Sequence, residues 1–433
     1  MLTTMLWNEY SHLDWQAIPP KVQTIARQCL LDWLGCALAG SKEPLATILR
    51  EEYVHQSGRC SVIGTDLKVP AQIAALINGC QGHALDFDDT STVMGGHPSA
   101  PVIPAVIAQG EDLSCSGQDL LTAIVVGIEF ESRLGILVGP EHYAKGWHVT
   151  STMGVFGAAA GVSWLLKLDD ESFGHAMGLA ASQASGLKSN FGTMTKPFHA
   201  GHAAERGLLS ARLAARGFTA NVSSFEGDQG LLEAASNGVL HEQALEAYKG
   251  EWLSEHVLFK YHAACYLTHA TIEALLHLGN SVSADNCEEI VVTVNASLLD
   301  VCGIENPVSG LEAKFSLRAA AALTVFGYDT TDSNTYTDEI IKEESLAAMI
   351  QRVTVQTDDS LTTTQTSVVV RDKQGEQHQA SFDTGIPCSD LQDQQGKLES
   401  KFHQLLGSDT YSKRLQQRVR EIELLEDIRG FLD

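Results

Sequence analysis

Two stretches decide what this chain can fold into. "SGQDLLTAIVVGIEFESRLGILV" (residues 116–138) and "STMGVFGAAAGVSWLLKL" (151–168) carry helical spacing and are apolar almost all the way round. A helix without a polar face cannot lie on a surface; it needs neighbours on several sides. The two therefore belong at the centre of a multi-helix bundle. Amphipathic partners for them are present. "KVQTIARQCLLDWLGCALAG" (21–40) has one broad apolar stripe with Gly40 as its stop. "AQIAALINGCQGHAL" (71–85) is Ala-rich, and "HAAERGLLSARLAARGFTA" (202–220) closes at Gly217. In "HPSAPVIPAVIA" (97–108) Pro101 suits the first turn of a further helix.

Near residue 260 the period changes. "EEIVVTVNASLL" (288–299), "IQRVTVQTD" (350–358) and "TSVVVRDKQGEQHQASF" (366–382) alternate as strands do, the last with a Lys-Gln-Gly turn. A helical stretch, "EAKFSLRAAAALTVFG" (312–327), lies among them, and "CSDLQDQQGKLESKFHQLLG" (388–407) returns to helix. The pattern predicts a mostly α protein: a large all-helical domain, discontinuous over 1–262 and 390–433, and a smaller α+β lid domain over 263–389.

Charge and cysteine usage narrow the partners. Lys and Arg total 29 against 54 Asp and Glu, a formal charge of −25. Such a field disfavours nucleic acid and anionic membranes, while a few local cations can still dominate one cleft. The nine cysteines are scattered and form no CxxC pair. "MLTTMLWNEYSHLDW" lacks the basic start of a secretion signal, and no stretch reaches the roughly 18 apolar residues of a membrane span. A cytoplasmic protein with reduced thiols is expected.

The chemistry-bearing residues cluster in "HALDFDDTSTVMGGHPSAP" (83–101). Asp86, Asp88 and Thr90 match the Asp-x-Asp-x-Thr of magnesium-dependent phosphotransferases. That chemistry needs a buried parallel strand just before the loop, and here a helical pattern precedes it. Capping of a helix end is the plainer alternative for these groups. His97 falls beside a helix start, where backbone N–H groups favour an anion and an imidazole can move a proton. In "GWHVTSTMGVFGAAAG" (146–161) His148 stands before another such start; Gly154, Gly157 and Gly161 do not have dinucleotide-turn spacing. "NFGTMTKPFHAGHAAERG" (190–207) supplies Lys196, whose ammonium suits a carboxylate, and His199 and His202, a weak zinc pair without a third ligand motif. A pyridoxal Schiff base on Lys196 lacks the alternating α/β texture of the common pyridoxal folds. No cofactor or metal motif stands out, so protein groups must do the chemistry. In "KYHAACYLTHA" (260–270), Lys260, His262, Cys265 and His269 sit where the texture changes.

"ALDFDDT…GHPSAPVIPA", "GWHVTSTMGVFGAAAG", "MTKPFHAGHAAERGLLSARLAARGFTA", "KYHAACYLTHA" and "EAKFSL" occur in the order found in the MmgE/PrpD family, which this chain resembles over nearly its whole length. That family includes 2-methylcitrate dehydratases, cis-aconitate decarboxylases and iminodisuccinate epimerases. The resemblance implies a helical domain with an α+β lid, a homodimer, no cofactor, and a small polycarboxylate as substrate. It implies His97, His148, Lys196 and Asp86 as catalytic residues. Thr90, Lys260, Cys265 and His269 would bind substrate, and Arg318 is added as a further carboxylate clamp. The expected reaction is a dehydratase-type lyase step at the carbon next to a carboxylate, with epimerisation of an iminodisuccinate-like dicarboxylate as the alternative. Cys265 stands where the decarboxylating branch has histidine, which speaks against decarboxylation.

Overall fold

A computed structural model describes residues 2–407 and 410–432. The described residues are mostly helical, with one four-stranded mixed sheet and a two-stranded antiparallel pair, Cys60–Ser61 with Lys68–Val69. The chain divides into two compact units, Met1–Phe259 with Cys388–Asp433, and Lys260–Pro387. Lys260 and His262 thus belong to the second unit, not to the first as the sequence suggested. The local reason is hydrogen bonding: Ala263 N–H donates to Thr330 O at 2.9 Å and Cys265 N–H to Lys314 O at 3.0 Å.

In the first unit the two apolar stretches lie at the centre. The Gly117–Ala144 helix packs on the Gly154–Leu165 helix, with Ser99–Leu113 and Thr195–Ala214 against the latter's other sides. The long helix breaks at Gly139, whose φ of 70° and ψ of 178° are not helical. The expected 151–168 helix is two pieces, Val149–Thr152 and Gly154–Leu165. His148 O accepts from both Ser151 N and Thr152 N, which winds the first piece tightly. The 202–220 helix begins earlier, at Thr195, so Lys196 and Pro197 are in its first turn. It crosses the Ala71–His83 helix at backbone contact. A Cβ on Gly201 would meet Leu76 O at 2.2 Å, so glycine is required there. The Leu391–Leu406 helix packs on Pro20–Gly40, returning the C-terminal segment to this unit.

The second unit is a four-stranded sheet in the order Val353–Thr357, Cys287–Val294, Gln365–Asp372, Gln377–Asp383. Cys287–Val294 runs parallel to Val353–Thr357 and antiparallel to Gln365–Asp372, with Ile290 opposite both Val353 and Val370. Ile290, Val292 and Val294 are fully buried on the face covered by the Tyr266–Leu278 and Leu317–Val325 helices. The strand expected over 288–299 stops at Val294, because the Asn295 side chain accepts from Ser297 N and starts a 3₁₀ turn. The helix expected over 312–327 is split, with Ser316 capping Leu317–Val325 by accepting from Ala319 N. No helix among the described residues is long and apolar enough to cross a membrane.

Candidate active site

The Ala71–His83 helix delivers the chain into the turn Asp86-Phe87-Asp88-Asp89-Thr90. A helix rather than a β-strand leads directly into this turn, so the phosphotransferase reading loses the scaffold it requires. Asp86 sits in the left-handed region at φ 51°, which aspartate tolerates better than most residues. The carboxylates of this turn differ in burial, although those of Asp86 and Asp88 both lie 3.5 Å from the His97 ring nitrogens. Asp86 is partly exposed, whereas Asp88 and Asp89 are fully buried.

Two basic groups meet Asp86. Lys196 Nζ lies 2.7 Å from Asp86 Oδ1, and His97 Nε2 lies 3.5 Å from the same oxygen. His97 Nδ1 is 2.7 Å from Asp89 O; a carbonyl only accepts, so Nδ1 carries the hydrogen. That leaves Nε2 as the nitrogen that takes or gives a proton. His97 N–H donates to Thr150 Oγ1 at 3.1 Å, which fixes the ring's backbone from the neighbouring helix start. His83 Nδ1 is 3.0 Å from both oxygens of Asp88, and its ring stands 4.6 Å from that of His97 and 5.9 Å from that of His148.

His148 and His199 meet through their Nδ1 atoms at 3.2 Å. One nitrogen must donate and the other accept, so the two rings cannot both be protonated. Burial, with Lys196 and the other imidazoles nearby, holds His148 well below the ordinary histidine range. Burial above all brings His199 down to about 4. Near neutrality His148 is a neutral imidazole beside a fixed ammonium, the protonation state a general base needs. Phe191 joins the two, its ring centroid 5.3 Å from Lys196 Nζ and 4.9 Å from that of His148.

The structure brings His97, Lys196 and Asp86 together directly, and the His148 ring lies 5.9 Å from that of His83, which neighbours His97. Thr90 is at the same turn, with its hydroxyl donating to Gly96 O at 3.1 Å and its backbone paired with Leu258. Lys260, Cys265, His269 and Arg318 are in the second unit. Buried Cys265 precedes the Tyr266–Leu278 helix, His269 Nε2 lies 3.2 Å from Ala264 O, and Arg318 Nη2 lies 3.5 Å from Glu305 Oε1. His199 and His202 do not converge. His199 turns to His148, and His202 lies 3.4 Å from Ser185 Oγ, which removes the zinc pair.

One ligating atom each from His83, Asp86, Asp88 and His97 lies within 4.8 Å of the others, close enough to share a cation; the Lys196 ammonium already supplies positive charge at this corner. A second such group, Asp372, Glu376 and His378, is a hairpin turn in which Asp372 Oδ1 accepts from Gln374 N and Glu376 N at 3.0 and 2.8 Å. His83 and Phe191 were not singled out by sequence, and Asp88 only as part of the phosphotransferase pattern. The five-residue step from His83 to Asp88 was visible, but nothing local to Phe191 pointed to it.

The model of the MmgE/PrpD N-terminal domain matches residues 9–243, and that of the MmgE/PrpD C-terminal domain matches 262–427. The chain belongs to the MmgE/PrpD family. Its relatives within that family include a cis-aconitate decarboxylase of Aspergillus terreus, 28% identical over 353 residues, which is 73% of this chain and 70% of that protein. The human cis-aconitate decarboxylase is 34% identical over 210 residues, 45% of this chain and 42% of that protein. Asp86, His97, His148 and Lys196 all fall inside the MmgE/PrpD N-terminal match. The C-terminal match runs on to residue 427, although the structure assigns the chain from Cys388 to the first unit.

Proposed function

We propose that this chain is a cofactor-independent acid/base lyase acting at the carbon next to a carboxylate of a small tricarboxylate. The observation that carries this reading is the convergence of Lys196 Nζ and His97 Nε2 on one carboxylate oxygen of Asp86. A substrate carboxylate arriving there meets an ammonium and an imidazole already aimed at such an oxygen. The kinship with cis-aconitate decarboxylases supports a tricarboxylate.

Lys196 holds the substrate carboxylate and stabilises the charge that spreads into it when the adjacent carbon becomes carbanion-like. Asp86 orients Lys196 and His97 before substrate arrives. His148, neutral through burial, takes the proton from that carbon. His97, through Nε2, gives a proton to the departing hydroxide, so that water leaves. Thr90, at the same turn, is assigned to substrate binding on the family resemblance.

Proton NMR in deuterium oxide tests the reading with cis-aconitate, citrate, 2-methylcitrate and iminodisuccinate. A new vinyl signal from a hydroxy acid indicates dehydration. Terminal methylene signals with loss of CO₂ from cis-aconitate indicate decarboxylation, a lyase step despite Cys265. Deuterium at the α-carbon without net product makes it an epimerase, and no change with any of them defeats the reading.

A further inference from the structure

We propose that Lys401, far from the Asp86 turn in sequence, is a positioning residue for it. Lys401 is on the Leu391–Leu406 helix, and its side chain is only 4% exposed. Its Nζ lies 2.6 Å from Asp32 Oδ1 on the Pro20–Gly40 helix, and Asp32 is itself buried. The same ammonium donates to the backbone carbonyl of Phe87 and sits 4.1 Å from the centroid of the Phe87 ring. Phe87 stands between Asp86, which faces Lys196 and His97, and Asp88, which faces His83.

A tether for the C-terminal segment needs only the Asp32 pair. The bond to Phe87 O has a different consequence, because it fixes the peptide that sets where the two carboxylates point. Asp86 holds a left-handed conformation, φ 51°, which persists only where surroundings over-determine it. Of the three buried aspartates here, Asp88 is met by His83, Asp89 by the N–H and hydroxyl of Ser99, and Asp32 by Lys401. Lys401 is thus the buried ammonium that joins the first long helix, the turn and the C-terminal segment. The inference rests on reading the Asp86 corner as the active site.

The test compares Lys401→Met, Asp32→Asn and the double variant Asp32→Asn/Lys401→Met. Each is followed by urea unfolding, by kcat and KM, and by NMR titration of His97 in protein with labelled histidine. Lys401→Met should unfold more easily, since it strands a buried carboxylate. The double variant, with no buried charge left unpaired at this site, should regain most of that stability. Its kcat/KM should still fall by about 10–10²-fold, mainly in kcat, and its His97 titration should move. Asp32→Asn, which keeps the bond to Phe87 O, should lose less activity than the double variant. Wild-type kcat/KM and an unmoved His97 titration in a stable double variant would overturn the proposal and leave Lys401 a tether. The titration needs no substrate, so it judges Lys401 even if His97 and Lys196 variants prove fully active and the functional reading fails.

Discussion

The two faces of the Asp86–Thr90 turn use the same residue type in opposite ways. On the outer face Asp86 is 22% exposed, with Lys196 at 2.7 Å and His97 at 3.5 Å. Its partners are cationic or protonatable, and water competes for all of them. On the inner face Asp89, three residues on, is fully buried, takes both hydrogen bonds from Ser99, and is pushed up to about 7 by burial. Asp32 below it rises to about 6 for the same first reason, although Lys401 pulls the other way. The outer face can exchange partners with an incoming carboxylate, whereas the inner face can only keep those it has. On the proposed reading, a turn that is reactive on one side is held still from the other.

The sharpest way to break this contrast is on the outer face. Lys196→Ala should lower kcat/KM about 10³-fold, the size expected when one electrostatic donor to developing charge is lost. A loss under threefold in the NMR or coupled assay would mean the outer face is not where the chemistry occurs. His97→Gln should cost about 10²-fold, as for loss of a positioned acid, with the acid-dependent limb of the rate profile altered.

On the inner face the effect should appear in stability. Asp32→Ala leaves the Lys401 ammonium buried without its carboxylate and should cost ~3–5 kcal/mol in urea unfolding. Lys21→Ala, which removes an ion pair to Glu255 with the lysine 48% exposed, should cost under ~1 kcal/mol. Equal losses would mean that the buried Asp32–Lys401 pair holds the structure no more firmly than an exposed pair.

A smaller effect tests the imidazoles behind the turn. His199 is held at about 4 and His148 well below 6.5, the value both have when exposed. As pH falls below about 6.5 the unfolded chain binds these protons first, so stability drains between about 6.5 and about 4. The double variant His148→Gln/His199→Gln should show a flatter acid limb than wild type in urea midpoints. Asp89 acts in the opposite sense between 3.8 and about 7, so the comparison between variants carries the test rather than either curve alone.

Much of this architecture was legible, for stated reasons. Apolar periodicity placed the central helices, and alternation placed the sheet, because burial on one face writes itself into the sequence every 3.6 or 2 residues. Breaks were harder to see. One helix ends at Ala313 and Ser316 caps the next within the same stretch, and Met153 separates two pieces within an Ala/Gly-rich one. At the candidate site, His97 and Lys196 stood out as basic groups at helix starts. Phe191 and Lys401 did not. Phe191 acts by touching two residues distant in sequence, and Lys401 meets Asp32 across 369 positions on a helix whose pattern is simply amphipathic. Such pairings exist only in three dimensions.

The interrupted path of the first unit has a consequence for biosynthesis. Chains emerge from the ribosome N-terminus first, so Asp32 and the Asp86 turn are made long before the helix that carries Lys401. The whole of Lys260–Pro387 must be translated in between. Until then the nascent turn lacks the Lys401 bond at Phe87 O, so on the proposed reading a site begun early in synthesis is completed late.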